Sequence, residues 1–532
     1  MSKYHWVQEL IIISIIINKK NPGKQLMTLR TSVTVLLTVL MGFTQAQTTN
    51  IKDFGAIGDG LKMNTAYIQK AVDEVSARGG GKVLVPEGIF LTGTVHLKTG
   101  VELVLQKNAV LLGSTNLADY ERNDRWYALL IADDQKNIAI TGQGTIDGQG
   151  RTLALNVLKM VKNGSVIDPL VLKRPNERLR PQLIEIQRSD KVLIKGVTLL
   201  NAACWVQTYN HCTQLTIDSI TVKSTAYWNN DGIDIQDCQQ VVVKNSDIDA
   251  ADDGICLKSG DPKSACEDVL VTDCKVRSSA SAVKFGTASL GGFRRVKVKN
   301  IYAFDTYRTA IALEIVDGGT MEDIDVSHIT AKNTGGAIFI RLGQRRKTSP
   351  PGIIRRIHIR DINVEVPNAK TDAGYTMEGP PEEDIYPHNL LPAQIVGLPG
   401  HPVQDVKLEN IVVTYGGGAD QKKAYVPLDS LARIPEMADE YPEFSMFGEL
   451  PAWALYVRHA EGIQLKNSTF KFLEDDFRSP LVFDDVKDVT VNNLNLASGN
   501  AAPAVILHRV TRPTFKKLKT AAGTSGKILV LN

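Results

Sequence analysis

A short unit of alternating apolar residues recurs along most of the chain. Seven apolar triplets begin at positions 192, 215, 241, 269, 296, 324 and 357, and three more begin at 406, 463 and 489. Short strands that repeat at intervals in the twenties are typical of solenoids, in which each coil buries its apolar face only against its neighbours. A helical alternative needs apolar spacing of 3.6 residues over longer windows, which these units lack. We predict an all-β fold, a right-handed parallel β-helix (solenoid).

An open solenoid end exposes apolar core and strand edges, so it needs a cap. Residues before the first repeat predict one capping helix, which Asn64 or Thr65 starts and the glycines at 79–81 end. Strands are expected to follow at Lys82–Val85 and Val101–Leu105. The apolar stripe of the helix is predicted to consist of Ile68, Ala71, Val72 and Val75.

Residues 1–46 have the pattern of a leader and secretory signal peptide. A basic start is followed by the apolar run Val33–Phe43, and a small residue, Ala46, marks the expected cleavage point. A membrane anchor is the alternative, but this run and Leu10–Ile17 are both shorter than the roughly 20 residues of a spanning helix. We expect a protein exported to the periplasm or the extracellular space, without stable membrane insertion, whose residues 47–532 form a single domain.

Three irregular intervals in the repeat predict loop insertions, near 150–181, 366–400 and 415–455. Insertions in solenoids map to loops that often surround the binding face. The first insertion is rich in lysine and arginine, so it either walls one side of a groove or forms a solvated loop. From the length of the insertions alone we expect a closed, pocket-like end and exo-acting cleavage.

Charge and cysteine usage exclude several classes of partner. The chain has 61 Lys and Arg against 58 Asp and Glu, and the leader holds five of the bases and one acid, so the remaining body is nearly neutral. That balance gives no electrostatic case for nucleic acid, and a capped solenoid is expected to be a monomer. The cysteine spacing does not match a metal site. Cys212, Cys238 and Cys266 each precede a triplet by three residues, which favours stacked buried thiols over disulfides.

Two acidic clusters lie one repeat apart. Residues 229–234 (Asn-Asn-Asp-Gly-Ile-Asp) precede residues 251–254 (Ala-Asp-Asp-Gly), and Asp252 stands 21 positions after Asp231. Asp252 and Asp253 would point to opposite faces of a strand, so a turn or bulge beside the following glycine must bring both to one surface. Carboxylates that converge on a groove supply the proton donor and the water activator of glycoside hydrolysis.

These motifs, with residues 251–260 and the start at 53–60, resemble the polygalacturonase and rhamnogalacturonan hydrolase family of pectin hydrolases, glycoside hydrolase family 28. The resemblance implies an inverting hydrolase without a cofactor. Asp252 would be the general acid, Asp231 and Asp253 would hold and activate the water, and Asn229 would bind substrate or orient the acids.

The chain departs from the polygalacturonase pattern in two places. Residues 278–286 lack the Gly-His-Gly motif, and residues 308–315 lack the Arg-Ile-Lys motif that grips a galacturonate carboxylate. Rhamnogalacturonan hydrolases also lack both motifs, so they are the closer analogy. We expect a galacturonate-containing pectic polysaccharide or oligosaccharide as substrate, with rhamnogalacturonan as a candidate.

Charged and aromatic side chains near the motifs are candidates for substrate contacts. The alternatives are surface charge for each lysine, an Arg308–Glu314 pair as structure, and core packing for the aromatic residues, which we favour for Trp205. Sugar stacking is the other possibility for Trp205, Tyr209 and Trp228. The predicted charged substrate-binding residues are Lys258, Lys284, Arg308, Glu314 and Arg341.

The sequence is also compatible with two other classes of protein. A polysaccharide lyase on the same fold would need calcium-binding acids and a basic catalytic residue. A carbohydrate-binding or adhesive β-helix would need no turnover, and the presence of all three aspartates argues against it.

Overall fold

Parallel strands make up almost all of the described structure. The computed structural model describes residues 48–170, 174–369, 371, 391–419, 426–497, 503–520 and 526–531. The strands within those ranges are β1 (Thr48–Asn50), β2 (Asp59–Met63), β3 (Gly81–Val85), β4 (Gly88–Thr92), β5 (Val95–His96), β6 (Val101–Leu105), β7 (Ala109–Gly113), β8 (Glu121–Arg122), β9 (Tyr127–Asp133), β10 (Lys136–Gly142), β11 (Thr145–Asp147), β12 (Gln182–Gln187), β13 (Asp190–Lys195), β14 (Thr198–Leu200), β15 (Gln207–Asn210), β16 (Thr213–Asp218), β17 (Thr221–Ser224), β18 (Ile233–Gln236), β19 (Gln239–Lys244), β20 (Asp247–Ala250), β21 (Ile255–Ser259), β22 (Cys266–Ser278), β23 (Val283–Ser289), β24 (Gly292–Ile315), β25 (Thr320–Leu342), β26 (Ile353–Val366), β27 (Ala393–Val396), β28 (Val403–Gly417), β29 (Ala452–Glu474), β30 (Ser479–Leu496), β31 (Val505–His508), β32 (Thr514–Thr520) and β33 (Ile528–Leu531).

The strands stack into three parallel ladders. We call the one that runs through β9, β12, β15, β18, β21 and β23 the site ladder; it continues through the C-terminal parts of β24 and β25 into β27 and β29. The second ladder runs through β6, β10, β13, β16, β19 and β22 and continues through the N-terminal parts of β24 and β25 into β26, β28, β29 and β30. The third runs through β4, β7, β11, β14, β17 and β20. One strand from each ladder makes one coil, and this is the predicted parallel β-helix.

The predicted triplets lie on the second ladder in unbroken register. Their first residues pair from coil to coil, and all of them are buried. Burying each such side chain contributes roughly 1.5–3 kcal/mol, so the row forms a continuous core that no single coil could make alone. The row consists of Val192, Leu215, Val241, Val269, Val296, Ile324, Ile357 and Val406.

A left-handed residue turns the chain from the second ladder to the third. It stands two positions after each triplet and has φ between 54° and 57° in seven successive coils. Asparagine and aspartate tolerate this conformation because their short polar side chains bond locally, which explains the polar residue after each apolar triplet. The seven residues are Ser219, Asn245, Asp273, Asn300, His328, Asp361 and Asn410.

The predicted N-terminal helix is present as α1 (Thr65–Ala77). Its buried residues are the four of the predicted stripe. Gly79 and Gly80 follow it with φ of 94° and 117°, values that favour glycine. Asn64 precedes the helix, but its side chain bonds the backbone of Ile57 instead of the helix. Its role as a cap on the solenoid remains a prediction.

The insertions differ from the predicted loops. The first contains a helix, α2 (Gly150–Lys162), because Leu153, Ala154 and Val157 recur at helical spacing and are buried. Strand β27 lies inside the second predicted insertion, and β28 extends into the third. The leader and residues 372–390 and 420–425 lie outside the described residues. Within the described part of the chain, no helix is long and apolar enough to cross a membrane.

All six cysteines are buried free thiols. The backbone N–H of Cys212 donates to Sγ of Cys238 over 3.3 Å, so these two thiols stack on adjacent coils as predicted. Burial, and then the neighbouring Cys212, raise the pKa of Cys238, which keeps the thiol protonated and unreactive.

We expect the native protein to react slowly with a thiol reagent and the denatured protein to release six thiols without reductant. The physical reason is that burial blocks access and suppresses the thiolate. Ellman titration before and after denaturation measures how many thiols react in the native and in the denatured protein. A denatured count below six that reductant restores would contradict the stacked-thiol arrangement.

Candidate active site

One pocket of about 640 Å³ opens on the outer face of the site ladder. Six of the residues that the sequence singles out line it together, although they come from four different segments of the chain. They are Asn229, Asp231, Asp252, Asp253, Lys258 and Arg308.

The aspartates lie in the turns that lead into two paired strands. Asp231 precedes β18, Asp252 and Asp253 precede β21, and these strands pair Ile233 with Ile255. The second turn follows β20, so the two adjacent aspartates are free of the alternation of a strand, as predicted. Gly232 is required between the turns because a Cβ there would lie 2.6 Å from the carbonyl oxygen of the next coil.

Lys258 holds one side of the acidic cluster. Its Nζ lies 3.4 Å from Oδ2 of Asp231 and 3.1 Å from Oδ1 of Asp234. Burial raises the pKa of Asp231, and the neighbouring Asp234 and Asp252 add to that effect. Burial also raises the pKa of Asp234 to about 6, against the opposing charge of Lys258. Asp234 was not among the predicted site residues, although it belongs to the first acidic motif.

Lys284 holds the other side. Its Nζ lies 3.0 Å from Oδ2 of Asp253, and the backbone N–H of Ser281 donates to Oδ1 over 3.1 Å. Burial alone would raise the pKa of Asp253, but Lys284, Arg308 and Lys258 together outweigh it and lower the pKa. Asp253 is therefore the carboxylate that this environment keeps ionised.

Asn229 and a buried arginine orient Asp252. The amide Nδ2 of Asn229 donates to Oδ2 of Asp252 over 3.4 Å. Arg180 donates to Oδ1 of Asn229 over 2.8 Å and to the carbonyl oxygen of Trp228 over 2.7 Å. Since Arg180 is fully buried, this contact fixes which way the Asn229 amide faces. Arg180 was not predicted as a site residue, because its place in the basic insertion was the only signal in the sequence.

Two insertions form walls of the pocket. Arg174, Glu177 and Arg178 of the first insertion line it, so of the two alternatives for this insertion, the wall describes this part. Residues 426–451, which we call the wall loop, contribute Tyr441 to the lining and place Oε2 of Glu443 2.9 Å from Nε of Arg308. The observed partner of Arg308 is thus Glu443, not Glu314 as the sequence alternative had it.

The aromatic residues divide differently from the prediction. Trp205 and Trp228 line the pocket, so core packing was the wrong expectation for Trp205. Its ring packs against Trp126 at 4.9 Å and lies 4.6 Å from Nζ of Lys258. Tyr209 is fully buried, and its hydroxyl donates to Gln207 over 2.7 Å.

Three predicted substrate-binding residues lie away from the pocket surface. Lys284 and Glu314 are each 2% exposed and belong to the layer behind the pocket lining. Arg341 is 1% exposed, and its guanidinium donates to the carbonyl oxygens of Gly397, Glu436 and Met437 over 3.2, 2.6 and 3.0 Å. Its donors point at backbone rather than at the pocket, which corrects the predicted substrate contact of Arg341.

One acidic group among the described residues has the spacing of a metal site. Ligand atoms of Asp231, Asp253 and Cys256 lie within 4.8 Å of one another. Lys258 lies 3.2 Å from Sγ of Cys256, and Lys284 contacts Asp253. Two ammonium groups therefore already supply the positive charge at these atoms, so the donor set does not fit a cation.

The model of the glycosyl hydrolases family 28 matches residues 76–277, which include all three aspartates. This match confirms that the part of the chain with the acidic motifs resembles glycosyl hydrolase family 28. The members of this family are glycoside hydrolases.

Curated relatives and solved structures agree with this match. The chain is 24% identical over 405 residues to a probable polygalacturonase of Vitis vinifera, covering 69% of this chain and 74% of the relative. It is 30% identical over 253 residues to an exo-poly-alpha-D-galacturonosidase of Dickeya chrysanthemi, but this match spans only 40% of the chain and 42% of the relative. An exopolygalacturonase structure from Thermotoga maritima has a TM-score of 0.55 at 24% identity, over 71% of this chain and 90% of that one, which shows the fold.

We expect Lys284→Met to lower kcat and to move the acidic limb of the pH–rate profile to higher pH. Removing the ammonium raises the pKa of Asp253, so the carboxylate is protonated over a wider acidic range. Lys275→Met is the matched control, since Lys275 is exposed and 3.9 Å from Asp247. An acidic limb that stays in place would contradict the role of Lys284.

We expect Glu314→Gln to change how stability depends on pH. Burial, opposed by Lys284, raises the pKa of Glu314 from 4.5 to about 7. As pH rises from 4.5 to 7, the unfolded state loses this proton and the folded state keeps it. The free energy of unfolding of the wild-type protein therefore falls by up to about 3 kcal/mol. Urea unfolding should show that the free energy of unfolding of the variant rises by that amount relative to wild type between pH 4.5 and 8. The exposed Glu74→Gln is the control and should not show this rise.

Proposed function

We propose that the protein is an exported, inverting hydrolase that cleaves galacturonate-containing pectic chains from one end. The observation that carries this proposal is the convergence of Asp231, Asp252 and Asp253 on one pocket, with a buried lysine held against Asp253. A protein that only bound the sugar would gain nothing from this charged cluster, whose burial costs free energy unless it is paired.

The environments of the aspartates support different roles. Asp253, with its lowered pKa, takes a proton from water as the water oxygen attacks the anomeric carbon. Asp252, the most exposed of the three, donates a proton to the glycosidic oxygen as that bond breaks. Asp231 positions the water, and its raised pKa leaves it able to donate a hydrogen bond as a neutral acid.

The charge of the pocket lining supports an acidic sugar as the substrate. Four arginines and one lysine line the pocket, against one glutamate and the three aspartates. The lining cations would attract a uronate carboxylate, and an arginine can bind one through two parallel hydrogen bonds. The absence of the Arg-Ile-Lys motif favours a galacturonate-containing heteropolymer such as rhamnogalacturonan, or its oligosaccharides, over plain polygalacturonate. The cations are Arg174, Arg178, Lys258, Arg308 and Arg345.

The walls support exo action. Residues of the first insertion border the pocket together with Tyr441 of the wall loop, and a pocket closed by such walls accepts a chain end more readily than the middle of a polymer. The signal-like start of the sequence supports export, which also brings an enzyme of this class to an extracellular polysaccharide. We propose that the exported domain acts as a monomer.

We expect Asp252→Asn to lower product release by at least about 100-fold, the smaller end of what a positioned general acid contributes. The measurement is chromatography of products from homogalacturonan, rhamnogalacturonan and their oligosaccharides, with chelator present. Asp249→Asn is the matched control, because Asp249 pairs with Arg277 at the surface, 3.3 Å away. Proton NMR of the first product identifies the anomer and tests inversion.

Mid-chain cleavage of long polymers would contradict the exo proposal alone. Activity that chelator abolishes would favour a lyase, and the absence of turnover from the unmodified protein on every substrate would favour a binding protein.

A further inference from the structure

The wall loop lies on a set of three buried polar side chains. Arg341 of β25, Gln394 of β27 and Arg458 of β29 belong to successive coils of the site ladder and are each at most 4% exposed. Their inward-facing neighbours, such as Ile340 and Ile395, belong to the main core. The three polar residues therefore face outward, toward the loop.

Each of these three side chains donates hydrogen bonds to backbone carbonyl oxygens of the loop. Arg341 donates to Glu436 and Met437, Gln394 donates to Phe444 over 2.7 Å, and Arg458 donates to Ile434 over 2.7 Å. Such bonds set the path of the loop whatever its side chains are.

A second, smaller hydrophobic core lies beside these polar residues, between the outward face of the site ladder and the loop. Phe339, Val396 and Tyr456 of the site ladder pack there with apolar residues of the loop. The Arg341 guanidinium lies 5.1 Å from the ring of Phe447. Arg341 is thus buried between the site ladder and the wall loop. Leaving its buried donors unpaired would cost free energy.

The loop held in this way delivers two side chains to the acidic pocket. The hydroxyl of Tyr441 accepts a hydrogen bond from Lys284 over 3.1 Å, and Lys284 in turn binds Asp253. Glu443 binds Arg308, which lines the pocket. A continuous set of contacts therefore joins the loop anchor to the carboxylate that we assign as the base.

We propose that Arg341 is a positioning residue for the hydrolysis, which acts by fixing the wall loop so that Tyr441 orients Lys284 against Asp253 and Glu443 orients Arg308. The catalytic part of this inference rests on the proposed function, whereas the loop-fixing part does not. Arg341 touches neither the pocket nor the reacting atoms and acts only through the loop.

The test uses Arg341→Met, Tyr441→Phe and the double variant in the full chain, with Arg355→Met as the matched control. Methionine keeps an unbranched side chain in the space beside Phe447 but removes the donors. Arg355 is a partly exposed arginine that binds Glu322 over 2.9 Å. Hydrogen exchange of peptides from residues 434–447 measures the loop without substrate, and kcat and KM measure its consequence.

We expect amides of the loop in Arg341→Met to exchange at least about tenfold faster, as the loss of one to two hydrogen bonds allows. Exchange of the second ladder should be unchanged. We expect kcat/KM to fall about 100-fold, the effect of misplacing a catalytic group by about 1 Å. Adding Tyr441→Phe to Arg341→Met should cause little further loss, because both changes break the same set of contacts.

Unchanged loop exchange in Arg341→Met would overturn the proposal, and so would losses in kcat/KM that multiply in the double variant. If Arg341→Met does not fold, Gln394→Met removes the single bond to Phe444 and should show the same effects at smaller size. If the unmodified protein turns over no substrate, the proposed function fails, and the exchange experiment still decides whether Arg341 fixes the loop.

Discussion

Unchanged register between successive coils is the constraint on which the rest of this structure depends. Side chains of a strand alternate between faces, so a shift of one residue would move the inward row that starts at Val192 to the outside. The same shift would turn the outward polar residues of the site ladder into the core. Apolar burial along the second ladder therefore fixes the geometry of the active site, although none of its residues belongs to the site.

Stacking at this register explains why chemically identical carboxyls behave differently. Asp234, Cys256 and Lys284 occupy one position of the site ladder on three successive coils. Neighbouring strands lie about 4.8 Å apart, so each coil places its charges within reach of the next. Lys258 contacts Asp231 and Asp234, whose pKa values burial keeps raised, whereas Lys284, Arg308 and Lys258 together lower the pKa of Asp253. Glycoside hydrolysis needs such a difference, because one group must lose a proton while another gains one.

The outer face of the site ladder carries different kinds of residue in two regions of the solenoid. Near β18 to β23 it carries ionisable groups under an open pocket, and from β25 to β29 it carries a second apolar core under the wall loop. The wall loop joins the two regions, since its anchors lie over the second and its tip reaches the first. This arrangement explains why a residue such as Arg341 can carry a positive charge beside the catalytic region without facing the substrate.

Much of the fold followed from local pattern. The triplets and the helix stripe could be predicted because a solenoid contacts only its sequence neighbours, so repeat spacing alone tells which residues stack. The three aspartates were identified for the same reason, as they lie one coil apart. The helix α2 and the displaced insertion boundaries were missed because insertions interrupt the period that carried the prediction.

The sequence by itself determined the parallel β-helix, the family resemblance and the position of the acidic cluster, because all of these depend on short-range spacing. Only the tertiary structure decided which lysine serves which aspartate, that Trp205 faces the pocket, and that Arg341 binds a loop instead of a sugar. The contact between Lys284 and Tyr441 joins residues 157 positions apart, and the long insertions have no period from which such a contact could be inferred. Their placement depends on packing against the outer face, which only the folded chain creates.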